Sequence, residues 1–211
     1  MSAAIDRMTP NITTMIRMDH THVLAVFHRY KANTSPNRKR ALVTNACLAL
    51  TIHAQLEEEI FYPALRAVMS GDETLEKSQP EHDEMKRLIS ELRTATTGGP
   101  DATDTSYDDK FLELMRVVIH HVADEETRLL PAAERLLEDQ LGSLGMAMTR
   151  RRVELLRPHA GEMAASAVRS FPAGAAAGAV LLTAGAVAIG AMLLSKGKNT
   201  EGPNRQHRRW S

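Results

Sequence analysis

The eleven residues His53-Ala-Gln-Leu-Glu57-Glu58-Glu59-Ile-Phe-Tyr-Pro63 carry a His followed by Glu at +4, a second Glu at +5 and Pro at +10. The same pattern returns as His121-Val-Ala-Asp-Glu125-Glu126-Thr-Arg-Leu-Leu-Pro131. On an α-helix a step of four residues turns by ~400°, so His and the first Glu lie ~40° apart on one face. An imidazole and a carboxylate one turn apart can grip a single metal ion, and two such helices face to face can grip two. Asp19-His20 and Glu81-His82 precede the two motifs, one in each half of the chain. His20, His53, Glu57, His82, His121 and Glu125 are therefore the expected ligands, in an arrangement with pseudo-two-fold symmetry. Burying two carboxylates without cations would cost several kcal/mol. A mixed imidazole and carboxylate set without thiolates suits iron, manganese or zinc. Two ions sharing two glutamates, with two histidines each, keep open coordination positions. That favours two iron ions in a redox-active centre over a closed structural zinc site, with manganese or zinc second.

The elements that must position these residues read as helices. Ile12, Ile16, His20, Val23, Phe27 and Tyr30 recur at helical spacing after a start predicted at Thr9-Pro10-Asn11. Ser35-Pro36 opens a second helix carrying Leu42, Ala46, Ala49, His53, Leu56 and Ile60, which Pro63 kinks or ends. Ser70-Gly71-Asp72 breaks the pattern. The third helix, starting between Glu73 and Pro80, carries His82, Met85, Ile89 and Leu92. After the loop Thr96-Thr97-Gly98-Gly99-Pro100-Asp101, Ser106 and Asp109 resemble a capping pair for a fourth helix with Phe111, Leu114, Val118, His121, Glu125 and Leu129 on its stripe. No segment alternates with period two. The expected fold class is all-α, an up-down-up-down four-helix bundle. An amphipathic fifth stretch comes next, about Ala133 to Val168, interrupted by Gly142, Gly145 and Pro158 and basic at Arg150-Arg151-Arg152.

These pieces, in this order, resemble the hemerythrin-like HHE cation-binding family: Asp19-His20, His53-x-x-x-Glu57-Glu58-x-x-Phe61-Tyr62-Pro63, Glu81-His82 and His121-x-x-x-Glu125-Glu126-x-x-Leu129-Leu130-Pro131. The resemblance covers roughly residues 12–138. Leu144-Gly145-Met146 and Arg151-Arg152-Val153-Glu154-Leu155 resemble a segment that often comes after the bundle in this family. Oxygen-carrying hemerythrins have a His pair four apart on the third helix, where this chain has His82 and Lys86. They also use an Asp five after the last His, where this chain offers Glu125 at +4 and Glu126 at +5. The chain is thus similar to the variant written His, His-x-x-x-Glu, His, His-x-x-x-Glu. The resemblance implies a non-haem di-iron protein that binds or reacts with oxygen, nitric oxide or peroxide. As an enzyme it would be an oxidoreductase consuming peroxide or nitric oxide. The alternative is an iron- or oxygen-sensing regulatory module without turnover. Water, peroxide or a tyrosine would fill the position left by the absent His. Tyr30 and Tyr107 lie on roughly suitable faces, whereas Tyr62 is ~180° from His53 on a continuous helix.

The remaining polar residues read as supporting. His22 faces away from His20, His28 sits at the core edge, and His120 is the rival to His121. Asp124 and Glu58 belong behind the ligands or in solvent. Cys47, the chain's one cysteine, reads as a small buried residue and fits a reducing compartment. The 26 basic and 26 acidic residues cancel, so no nucleic-acid partner is expected.

Four regions are expected: the di-metal bundle over 1–138, a basic amphipathic extension over 139–171, a hydrophobic helix over 172–195 and a basic tail over 196–211. Residues 173–194 carry no charge and would form a helix of about 33 Å, long enough to span a bilayer. Gly174-x-x-x-Gly178 would allow close helix approach in a homodimer. The N-terminus has no signal-peptide pattern, and Lys196, Lys198, Arg205, Arg208 and Arg209 come after the apolar run. A cytoplasmic bundle tethered to a membrane is the expectation.

Overall fold

The structure, a computed structural model, describes residues 10–97 and 105–161. Among these residues every regular element is helical. Helix α1 spans Ile12–Arg29. Its cap is Asn11, whose side chain accepts from the Thr14 N–H at 2.8 Å, so Pro10 lies outside the first turn, not inside it as the sequence suggests. Helix α2 spans Pro36–Leu56, with Ser35 at the N-cap and Pro36 in the first position as expected. A five-residue π turn, Glu57–Phe61, joins it without a break to α3, Tyr62–Val68. Gly71, at φ +80°, makes the turn into α4, Glu73–Thr97; the Asp72 carboxylate caps it by accepting from the Thr74 and Leu75 N–H groups. Helix α5 spans Thr105–Asp124, so Ser106 lies within the helix and does not cap it as the sequence suggests. A second π turn, Glu125–Leu129, leads into α6, Leu130–Leu136. A 3-10 turn, Glu138–Gln140, precedes α7, Leu141–Leu156.

Helix α1 packs on α2, α2 on α4, α4 on α5, and α5 returns to α1. Helix α7 lies across α1 and α2. The closed ring of contacts encloses two apolar clusters. One gathers Val23, Phe27, Leu42, Ala46, Leu50, Met85, Leu92, Phe111, Leu114 and Val118. The other gathers Ile12, Ile16, Ile52, Leu56, Phe61, Leu65, Leu75, Leu129, Leu130 and Met148. The four histidines of the expected site fall at the seam, between Ile16 and Val23, Leu50 and Leu56, Leu75 and Met85, and Val118 and Leu129.

Among the described residues no helix is long and apolar enough to cross a membrane. The expected hydrophobic helix over 172–195 and the basic tail over 196–211 lie outside the described residues, as does the end of the 139–171 extension.

Candidate metal centre

Each half of the chain delivers its His-x-x-x-Glu motif at the point where an α-helix changes to a π turn. In both copies the π turn begins on the Glu and ends just before the residue that precedes Pro. The Tyr62 N–H bonds to the Glu57 carbonyl and the Leu130 N–H to the Glu125 carbonyl, five residues back in each case. The extra residue in the turn withdraws ~100° of rotation relative to an uninterrupted α-helix. It therefore reorients the residues beyond the motif without disturbing the His/Glu pair itself.

All six expected ligands are buried: His20, His53, Glu57, His82, His121 and Glu125 are each at most 4% exposed. Their outward faces are held by carboxylates in a two-fold pattern. His20 Nδ1 donates to Glu126 Oε1 at 2.8 Å and His82 Nδ1 to Glu58 Oε1 at 2.9 Å. His121 Nδ1 donates to Glu81 Oε2 at 2.8 Å, and His53 Nδ1 stands 3.4 Å from Asp19 Oδ2. Each lone His is thus held by the second Glu of a motif, and each motif His by the acid preceding a lone His. Glu126, a candidate ligand by spacing, is in the outer ring, bonded to His20 and to Arg17. His120 is also excluded from the centre, at 73% side-chain exposure.

A carboxylate can only accept, so the Nδ1 atoms carry the protons and the Nε2 atoms of the neutral rings are lone pairs. These lone pairs converge inward. His82 Nε2 and His121 Nε2 are 3.1 Å apart. His20 Nε2 is 3.2 Å from Glu125 Oε2, and His53 Nε2 is 3.2 Å from Glu57 Oε2. Of these last four atoms only Glu57 Oε2 has a well-aligned partner, and Glu57 Oε1 has none. The chamber is lined with acceptors and has one hydroxyl donor, Tyr62, whose Oη donates to Glu125 Oε1 at 2.8 Å and lies 3.4 Å from Glu57 Oε2 and 3.2 Å from His82 Nε2. Buried acceptors without donors are costly, and cations remove that cost. Within the chamber two groups have the spacing to hold a metal ion: His20, His53, Glu57 and Glu125 in one, and Glu57, His82 and His121 in the other.

The charges in the chamber shift one another. Burial and the neighbouring Glu125 push the Glu57 carboxyl well up. Burial acts the same way on Glu125, but His121, His20 and His53 outweigh it and hold that carboxyl below its ordinary range. Burial lowers His53 and His82. His20 feels the same desolvation, yet its contact with the Glu125 carboxylate, helped by Glu126, overcomes it and raises it to about 9. Tyr62 is pushed well up by burial and by the Glu125 and Glu57 carboxylates, and so remains a donor.

Sequence reasoning missed Tyr62 because it assumed a continuous α-helix. The π turn swings Tyr62 from the far side of His53 into the chamber. Tyr30 instead bonds to Asp108 at 2.5 Å, and Tyr107 is buried in the apolar cluster away from the π turns. Lys86, where oxygen carriers have His, points outward and grips both oxygens of Glu58 at 2.6 and 2.7 Å. The pairing of Pro63 and Pro131 at +10 was the available signal for the interruption, since Pro cannot donate to the preceding turn.

A model of the hemerythrin HHE cation binding domain matches residues 11–133. The chain is 30% identical over 135 residues to a protein of Nostoc sp. (strain PCC 7120) described as a DNA nickase; the match takes in 64% of this chain and 37% of that protein. The chain therefore spans little more than a third of that relative's length. No solved structure matches. The four histidines and two glutamates that meet between the apolar clusters all fall inside the matched region, and the chain belongs to the hemerythrin HHE cation-binding domain family.

Proposed function

We propose that this chain is a non-haem di-iron protein, folded as an up-down-up-down four-helix bundle, that binds or reacts with oxygen, nitric oxide or peroxide. The observation that carries this reading is the chamber of converging Nε2 lone pairs and two buried carboxylates, matched by a complete ring of outer carboxylates. His20 and His53 would hold one ion and His82 and His121 the other, with Glu57 and Glu125 shared. The burial of all six residues favours a ligand of two or three atoms over a larger substrate. Bound iron would supply one-electron chemistry and an open coordination position. The protein's own part is to fix four imidazoles through their Nδ1 protons, to exclude bulk water with the two apolar clusters, and to keep a proton on Tyr62 Oη beside the second group.

Metal content with an optical spectrum, before and after peroxide or nitric oxide, tests the proposal. Wild type should carry two irons per chain, His53→Ala and Glu57→Ala should lose them, and His22→Ala, on an exposed side chain bonded to Asn45, should keep both. Equal loading in all four proteins overturns the assignment.

A second reading, metal-dependent signalling without turnover, has one specific support. Asp19 stands between His53 Nδ1 and Arg152 of α7, whose guanidinium reaches both its oxygens at 2.6 Å. The state of the centre therefore has a polar path to the helix beyond the bundle. Identical hydrogen exchange in α7 with and without iron counts against it. DNA nicking, suggested by the description of the Nostoc relative, is not our reading, since two arginines of the run Arg150-Arg151-Arg152 are already paired within the chain. Arg151 is engaged with Glu59 and Glu154, and Arg152 with Asp19. A tether through residues 173–194 belongs to the same proposal, tested by partition of the full chain into lipid vesicles.

A further inference from the structure

Helix α5 carries two His/acid pairs, interleaved one residue apart. His121 and Glu125 face the chamber. His120 and Asp124, with the same spacing of four, lie ~100° around the helix and face solvent. On α4 the same doubling occurs, with His82 inside and Glu81 beside it facing out. The outer trio meets in space. His120 Nδ1 is 3.7 Å from Glu81 Oε1 and 3.9 Å from Asp124 Oδ2. These separations are too long for hydrogen bonds. They suit atoms arranged around an ion whose bonds are ~2.1 Å long, for which ligand atoms can stand as much as ~4 Å apart.

The other half of the chain supplies the comparison. Asp19 holds the place that Glu81 holds here, and it already has a cation, the Arg152 guanidinium. The positions matching His120 and Asp124 are Ile52 and Leu56, both buried where α7 covers that flank. On the uncovered flank, among the described residues, no arginine or lysine makes an ion pair with Glu81, whose ion pairs are with His120 and His121. A carboxylate in equivalent positions thus meets a fixed guanidinium on one side and an open imidazole-carboxylate fork on the other.

We propose that Glu81, His120 and Asp124 form a solvent-facing site for a divalent first-row metal ion. One imidazole and two carboxylates suit zinc, manganese or iron(II). The site uses Glu81 Oε1 and leaves Oε2 on the His121 Nδ1 proton, so one carboxylate touches both the outer ion and the ring behind the buried centre. An outer ion drawing charge from Glu81 weakens its hold on that proton, and this links the two places without any movement of a helix.

The test is equilibrium dialysis of the purified, iron-loaded full chain against zinc, with manganese as a second probe followed by its paramagnetic signal. Wild type should take up one more equivalent than either His120→Ala or Asp124→Asn, while the iron content of all three stays the same. Both substituted side chains are substantially exposed, so the fold is retained, and circular dichroism checks this. Equal zinc and manganese uptake by wild type and both variants overturns the proposal. The comparison is a difference between proteins that share the buried residues, so it stands whether or not those residues hold iron, and the two proposals fail separately.

Discussion

Glu57 and Glu125 have the same neighbours in mirror positions, yet their carboxyls shift in opposite directions. Burial and the facing Glu125 push the Glu57 carboxyl up, while His121, His20 and His53 hold Glu125 below its ordinary range. The proton on His20 is a consequence of this charge. Its raised value, about 9, means that a second proton competes with a metal ion for the Nε2 lone pair at neutral pH. The sign is that of a raised base: the stabilisation is complete below the ordinary value near 6.5 and disappears as pH rises through about 9. A metal ion at Nε2 must displace that proton, so metal affinity should climb as pH rises from about 6 toward 9 and flatten above. A titration of metal binding at several pH values, with proton release measured in weakly buffered solution, checks this. The six central residues were legible in the sequence because His and Glu at +4 share a helix face. The spacing favoured Glu125 over Glu126 and His121 over His120, and their burial places the favoured pair inward. The donor–acceptor imbalance was not legible, since it depends on which ring nitrogen meets which carboxylate across helices.

At the scale of elements, the π turns explain why the sequence pattern carries Pro at +10. A proline near the end of a helical run leaves an earlier carbonyl without its N–H, and a widened turn accommodates the loss. In the first half the widened turn delivers Tyr62, while in the second the matching residue is Leu130, which packs in the apolar cluster. The four histidines are therefore unequal: among them only His82 has the Tyr62 hydroxyl beside its Nε2, at 3.2 Å. Tyr62→Phe should keep both metals, lose about 1–3 kcal/mol of stability through the unsatisfied Glu125 oxygen, and alter the optical spectrum of the loaded protein. Deletion of Ile60 should return the run to an uninterrupted α-helix and leave Tyr62, Phe61 and Leu65 facing as they do, because one residue fewer removes the same ~100° that the widened turn withdraws, so metal loading and the spectrum should persist. Calorimetry and spectra of the two variants separate the hydroxyl from the turn. The long helices were legible from apolar spacing over many residues. The cap at Asn11 and the start of α5 were not, because single polar residues near a helix end compete and tertiary contacts choose among them.

For the whole molecule, α7 decides how symmetric the centre is. It was visible in the sequence as a basic amphipathic stretch after the bundle, and the structure uses that basicity internally. Arg152 meets Asp19 and Arg151 meets Glu59. Gly145 makes the approach achievable, since a Cβ there would stand 2.5 Å from the Pro10 carbonyl oxygen and 3.0 Å from Asn11 backbone atoms. Gly145→Ala should cost about 1–3 kcal/mol, because backbone and not a pliable side chain must yield. Arg152→Gln should loosen α7 by a similar amount while leaving α4 and α5 protected, and amide exchange over residues 141–156 reads both effects. The docking of α7 on α1 also has a consequence for the order of events on the ribosome. Asp19 and His20 emerge early, whereas the arginine that neutralises Asp19 emerges only after both His-x-x-x-Glu motifs. Among the described elements the flank holding His20 and His53 is covered last during synthesis, which leaves that side open to an ion until α7 docks.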